Sequence, residues 1–226
     1  MILFVFEGAE REPKIFKTLE HLFFGAGERI VCSFGNNIYE LYRQLTELDW
    51  DGDIVSVLRE NNAQLPAGIK SSDFSEIYLF FDYDFQNTNL TLDQMNERLQ
   101  EMLEMFDDET DNGKLYVSYP MVESLCYTKQ LPDEHFVEYT ISRKDCTERS
   151  FKDLAREFSF YGSLNFIELP DSGHRRPGKK EIARPFRRKE YLMLSVGCIC
   201  VMGERIAILN GFPLFLFDYF RIGFWQ

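Results

Sequence analysis

Two short runs, Ile2 to Phe6 (ILFVF) and Glu76 to Phe81 (EIYLFF), are apolar almost without interruption, and each stops abruptly at acids: Glu7-Gly8 after the first, Asp82-Tyr83-Asp84 after the second. A strand with one face in water alternates apolar and polar residues. A run that does not alternate is buried on both faces, which parallel sheets achieve by laying helices over each side. The intervening sequence supplies those helices. Pro13 opens a pattern in which Ile15, Phe16, Leu19, Leu22 and Phe23 recur at three- and four-residue intervals, predicting a helix to about Phe24 that stops at Gly25 and Gly27.

Arg29 to Phe34 reads as a second strand, Ile38 to Leu48 as a second amphipathic helix, and Asp53 to Glu60 as a further helix. Leu92 to Phe106 carries Leu92, Met95, Leu99, Met102, Leu103 and Phe106 on one face. Lys114 to Ser118 is another strand, and a helix follows from Pro120. Strands alternating with helices at this spacing predict an α/β, Rossmann-like fold with a mostly parallel sheet flanked by helices. The division expected is an α/β domain over residues 1–128 and a C-terminal α-rich extension over 129–226. Ser150 to Phe158 is read as a helix of that extension, with Ser150 as its N-cap. Residues 170–189 form a connector rich in Gly, Pro, Arg and Lys, and an apolar C-terminal element is expected to pack on the sheet edge or serve as a partner surface.

Tyr191 to Phe220 is apolar, but Glu204 and Arg205 split it into runs of about a dozen residues, short of the roughly 20 that span a membrane. The N-terminus lacks a basic segment and meets acids after six positions, so it reads as a strand rather than a signal peptide. Cys32, Cys126, Cys146, Cys198 and Cys200 form no CxxC pair, which suits free thiols in a cytoplasmic protein.

The formal charge of −12 opposes indiscriminate attraction to nucleic acid. It is unevenly placed. Arg175, Arg176, Lys179, Lys180, Arg184, Arg187, Arg188 and Lys189 face Glu181 alone in one window, with Phe186 among them for stacking on a base. The window reads equally as a solvated loop or as a contact for a phosphate backbone.

Open parallel sheets place ligands outside the carboxyl ends of their strands. The residues expected there are acids: Glu7, Asp82 and Asp84 at strand ends, Glu12 at the loop-to-helix junction ahead of Pro13, and Glu123 in the first turn after Pro120. Strand alternation puts Asp82 and Asp84 on one side with Tyr83 facing away. Carboxylates converging at about 4 Å repel by roughly 1 to 4 kcal/mol per pair. Either protonation or a hard divalent cation, Mg²⁺ or Mn²⁺, must offset that.

The ordered motifs EGAEREP (Glu7 to Pro13), FFDYD (Phe80 to Asp84) and SYPMVESL (Ser118 to Leu125) resemble the Toprim domain of stand-alone bacterial defence nucleases, the RloB-like and OLD-like (overcoming lysogenization defect) groups. The resemblance covers about residues 1 to 128. It implies Glu7 as the catalytic general acid/base, Glu12, Asp82 and Asp84 as Mg²⁺ ligands, and Glu123 as completing a second metal site. It also implies cleavage of DNA or transfer RNA as a toxic effector of anti-phage defence, held off by a partner ATPase. No G-x-x-x-x-G-K-[ST] loop occurs, so that ATPase would be a separate chain. A homo-oligomer fits the same expectation, and a membrane does not. Two rivals stand beside it: a phosphatase with an aspartyl nucleophile, and a catalytically silent binding subunit of the same fold.

Overall fold

The computed structural model describes residues 1–47, 53–61, 64–83, 91–110, 112–127, 139–142, 144–145, 151–156 and 205–220. Asp84, the basic window from Arg175 to Lys189 with Phe186, the Ser150 cap and the connector 170–189 lie outside these residues. So do Leu48, Phe158, Cys146, Cys198, Cys200 and the apolar stretch from Tyr191 to Gly203.

Four strands, β1 (Ile2–Phe6), β2 (Arg29–Ser33), β3 (Glu76–Asp82) and β4 (Lys114–Ser118), form one sheet in the order β2-β1-β3-β4. Every pairing is parallel, with Phe6 opposite both Ser33 and Phe80, and Asp82 opposite Ser118. The helices between them are α1 (Arg11–Phe23), α2 (Ile38–Glu47), α3 (Ile54–Glu60) and α4 (Leu92–Met105). The α/β architecture with a flanked parallel sheet thus follows the expectation from the apolar runs.

Local chemistry sets the helix starts. The Asp53 side chain accepts the Ser56 N–H at the head of α3, and Thr91 and Gln94 cap α4 reciprocally. The first helix differs from the sequence expectation, since it begins at Arg11 and not at Pro13. Pro13 sits at the third helical position, where its missing N–H would have had no intrahelical partner in any case. Glu12 is therefore inside the first turn and not in the preceding loop.

The two faces of the sheet are filled differently. Phe4, Phe6, Tyr78, Phe80 and Tyr116 share one face, as their cross-strand register requires. Phe16 and Phe24 from the α1 region cover them from one side, with Phe4 and Phe16 centroids 4.1 Å apart. The rest of that cover comes from helix α6 (Gly211–Phe220), whose Phe215 packs edge-on against Phe4, Tyr78, Phe80 and Tyr116. Phe212 stacks on Phe80 at 4.8 Å. Among the described residues, most Phe side chains thus belong to the core. Leu3, Val5, Ile77, Leu79, Phe81, Leu115 and Val117 form the opposite face and are buried in the same apolar cluster as Leu41, Leu45, Leu99 and Met102.

The C-terminal element departs from the expected edge packing. Helix α6 lies on the face of the sheet, and Leu209, Phe212, Leu214, Phe215 and Leu216 belong to the main core. Gly211 permits this approach, because a Cβ there would stand 3.2 Å from the Tyr116 carbonyl oxygen. The region after residue 128, expected to be α-rich, also contains an antiparallel strand pair, β5 (Thr140–Ser142) with β6 (Arg205–Ala207). Helix α5 (Phe151–Arg156) joins Leu125, Cys126, Ile141 and Ile208 in a second small apolar cluster through Phe151 and Leu154. Among the described residues, no helix is long and apolar enough to cross a membrane.

Candidate functional site

The strand order reverses direction between β1 and β3. From β1 the chain goes outward to β2, then returns past β1 to build β3 and β4 on the other side. Such a switch point leaves a crevice at the carboxyl ends of the two central strands, because their outgoing connections diverge. A cleft of about 820 Å³ occupies this place, lined by Glu7, Glu10, Glu12, Asp82 and Glu123 together with Arg11, Lys14 and Lys152.

Each acid is held by an identifiable contact. Glu7 follows the last residue of β1, and its backbone is clamped by N–H to the Phe80 carbonyl (3.0 Å) and by its own carbonyl accepting the Gly35 N–H (3.0 Å). Its carboxylate turns across to β3 and accepts the Asp82 backbone N–H at 2.9 Å. The Ser33 hydroxyl donates to the Gly8 carbonyl at 2.9 Å and steadies the same turn.

Glu12 is buried and accepts the Gly8 N–H at 3.1 Å. A Cβ on Gly8 would lie only 2.9 Å from the Glu12 carboxylate, so glycine is what lets this side chain close over the turn. The partial positive charge of the α1 N-terminus favours an acid there.

Glu123 lies in a short 3₁₀ helix, Val122–Tyr127, and is 2% exposed. One of its oxygens stands 3.5 Å from Arg11 Nε and 3.4 Å from Lys152 Nζ, yet no hydrogen bond to that oxygen forms. The segment carrying it is pinned from the C-terminal region. The buried Asn210 side chain donates to the Val122 carbonyl (2.9 Å) and the Ser124 hydroxyl (3.0 Å), and Ser124 in turn donates to the Leu209 carbonyl (2.7 Å).

Asp82 is the centre of the group. Burial first, then the charges of Glu7, Glu12 and Glu123, hold its carboxyl well above the usual range, with the Val122 N–H opposing them. That three other acids act on one carboxyl is the electrostatic signature of convergence. Tyr83 points away as strand alternation requires: it is buried, stacks on Tyr119 at 4.7 Å and donates to Asn96 at 2.7 Å.

Four of the five expected acids, Glu7, Glu12, Asp82 and Glu123, therefore line one cleft; the fifth, Asp84, lies outside the described residues. Arg11 faces Glu123 from 112 positions away in the chain. Lys152 and Asn210 had no sequence signal at all, as neither belongs to a motif and both meet the site only through the tertiary fold.

A lining of five carboxylates and three cations, all donors being oxygen, suits a hard divalent ion by chemistry. Glu12, Asp82 and Glu123 would be its ligands. Among the described residues no three His, Cys, Asp or Glu side chains already stand at ligating distances; the carboxylates of Glu7 and Glu12 are turned to backbone N–H groups and that of Glu123 to Arg11 and Lys152. Comparison of the chain with protein-family models, with curated proteins and with solved structures finds no match.

Proposed function

We propose that this chain is a divalent-metal-dependent nuclease of the Toprim type, hydrolysing phosphodiester bonds in DNA or transfer RNA. The observation that carries this proposal is the meeting of Glu7, Glu12 and Glu123 around the Asp82 carboxyl at the β1/β3 switch point. Structural acids spread to water, and three that crowd a fourth carboxyl impose a repulsion that a fold has no reason to keep unless a cation or proton is to be received there.

Bound at that point, Mg²⁺ or Mn²⁺ would supply Lewis-acid stabilisation of a phosphoryl oxygen and lower the pKa of a coordinated water. Glu12 and Asp82 would hold it from the α1 turn and the end of β3, with Asp84 after β3 and Glu123 across the cleft. Glu7, whose carboxylate accepts the Asp82 N–H, would take a proton from the attacking water and return it to the leaving oxygen. The sequence motifs support a cytoplasmic effector of anti-phage defence restrained by a separate ATPase.

The test is cleavage of supercoiled DNA and of total transfer RNA by the purified protein in Mg²⁺ or Mn²⁺. Glu7→Gln and Asp82→Asn are expected to lower the rate by at least about 10²-fold. Cleavage that survives both, or its absence on both substrates with either metal, removes the assignment. A catalytically silent binding subunit of the same fold is the second reading. It is separated by the same assay, since such a subunit would bind nucleic acid without cutting it. A trapped aspartyl-phosphate on Asp82 would instead favour the phosphatase with an aspartyl nucleophile.

A further inference from the structure

We infer that Ile15 and Met121 form an apolar seat for one nucleobase beside the carboxylates, so that the bond cut lies next to an unpaired nucleotide of a single-stranded segment. The inference rests on reading the cleft as a phosphodiesterase centre, and it names the form of nucleic acid that the centre accepts.

The cleft follows one face of α1. Arg11, Lys14, Ile15 and Thr18 line it at intervals of one, three and four residues, the stripe of a single helical face, and from Arg11 to Thr18 that stripe runs about 10 Å. The lining changes character along it. Glu12 stands in the first turn of α1, with Glu7 and Asp82 at the strand ends before it, whereas Ile15 and Thr18 lie one and two turns further on. Met121, from the segment after β4, joins Ile15. Both side chains are half-buried, both pack on the small cluster that contains Leu125, Phe151 and Ile208, and both line the cleft. Two apolar groups anchored on one core from two different elements make a fixed patch.

Charge does not supply the affinity. Among the described residues the lining carries five acids against three cations, so a phosphate backbone gains little from counterion release there. What is left to hold a substrate is contact with its uncharged part, which in a nucleic acid is the base. A base inside a duplex is stacked and paired and does not reach a patch within a cleft, whereas an unpaired base does. The volume agrees, since about 820 Å³ is that of a small-molecule site and far below what a double helix needs. So does the burial of the acids: Glu12 and Glu123 are 7% and 2% exposed, and they meet a strand that enters the cleft, not one that lies across its mouth.

Adenosine tests the seat in EDTA, where neither metal nor phosphate contributes. By NMR titration the wild type should bind it, Ile15→Ala and Met121→Ala should each weaken binding about fivefold, and Met121→Leu, which restores apolar volume, should recover it. Leu154→Ala truncates the same cluster outside the cleft and should change the affinity by less than about twofold. If both Ala variants of the seat fail to fold, nuclear Overhauser contacts between the Met121 methyl group and the base protons in the wild type decide instead. Cleavage of labelled oligonucleotides in Mg²⁺ tests the consequence. Single strands should be cut at least about tenfold faster than duplexes of the same sequence, with DNA and RNA arms showing which sugar is taken. Removing the base at one nucleotide beside the cut bond should raise KM about fivefold in the wild type and hardly at all in Met121→Ala, with kcat kept in both. No adenosine binding, unchanged affinity in the Ala variants, an equal loss in Leu154→Ala, or duplex cut as fast as single strand overturns the seat. If nothing is cut in Mg²⁺ or Mn²⁺, the nuclease assignment falls and adenosine binding alone decides the seat; cleavage indifferent to base and strandedness keeps the nuclease and removes the seat.

Discussion

The Glu7 carboxylate accepts the Asp82 backbone N–H at 2.9 Å, joining residues 75 positions apart at the ends of adjacent strands. One side chain thus serves the sheet and the site together. Glu7→Gln keeps an oxygen to accept that N–H and should leave the unfolding free energy within about 0.5 kcal/mol of wild type. Glu7→Ala strands the donor and should cost about 1 to 3 kcal/mol. Urea unfolding of the two variants checks this, and equal losses would show that the hydrogen bond contributes nothing distinct.

Gly8 and Glu12 make a second separable prediction. The Cβ of Gly8→Ala would displace the Glu12 carboxylate from its place over the turn, while most of the core lies elsewhere. Calorimetric Mn²⁺ affinity should fall about tenfold, with the melting temperature lowered by no more than about 4 °C. A variant that melts much lower while retaining full affinity would contradict the role given to Glu12.

Asp82 carries the pH dependence. Its folded pKa is raised by burial and by Glu7, Glu12 and Glu123. Without metal, the folded state keeps a proton that the unfolded chain has already released. Its contribution to stability is present below the ordinary aspartate pKa of about 4 and is lost as pH rises above it. In EDTA the wild type should therefore lose stability between pH 4 and neutrality. Asp82→Asn, which cannot ionise, should flatten that slope and be the more stable of the two at pH 7. An unchanged slope in the variant would assign the effect to another group.

Asn210 acts at a distance from the acids. Its amide ties together the carbonyl of Val122 and the hydroxyl of Ser124, the two neighbours of Glu123, and the Val122 N–H in turn reaches Asp82. Asn210→Ala should cost about 1 to 3 kcal/mol for the buried partners it abandons. It should also weaken divalent-ion binding by more than a core truncation of equal cost, Leu216→Ala for instance, measured at a temperature where both are folded. Equal affinities in the two variants would make Asn210 a stability residue only.

The strands and their buried character were legible because unbroken apolar runs admit few alternatives, and β4 falls on Lys114–Ser118 as its pattern indicates. The acids at the strand ends could be read for the same reason: a side chain that follows a strand must emerge at its carboxyl rim. Helix starts were less legible. Pro13 drew the boundary of α1 to itself, although a proline is equally tolerated two positions inside the first turn. Arg11, Lys152 and Asn210 were invisible for a different reason. Their partners are set by how α5 and the segment before α6 dock, and no local spacing records a contact made across a hundred residues.

Helix α6 closes the aromatic face of a sheet whose four strands all lie within the first 118 residues. During translation those strands leave the ribosome long before Phe212 and Phe215 do. Until then Phe4, Tyr78, Phe80 and Tyr116 lack the cover that Phe215 supplies, so the nascent chain exposes aromatic surface prone to association. Its cleft also waits on late residues, since the Glu123 loop is steadied only when Leu209 and Asn210 arrive.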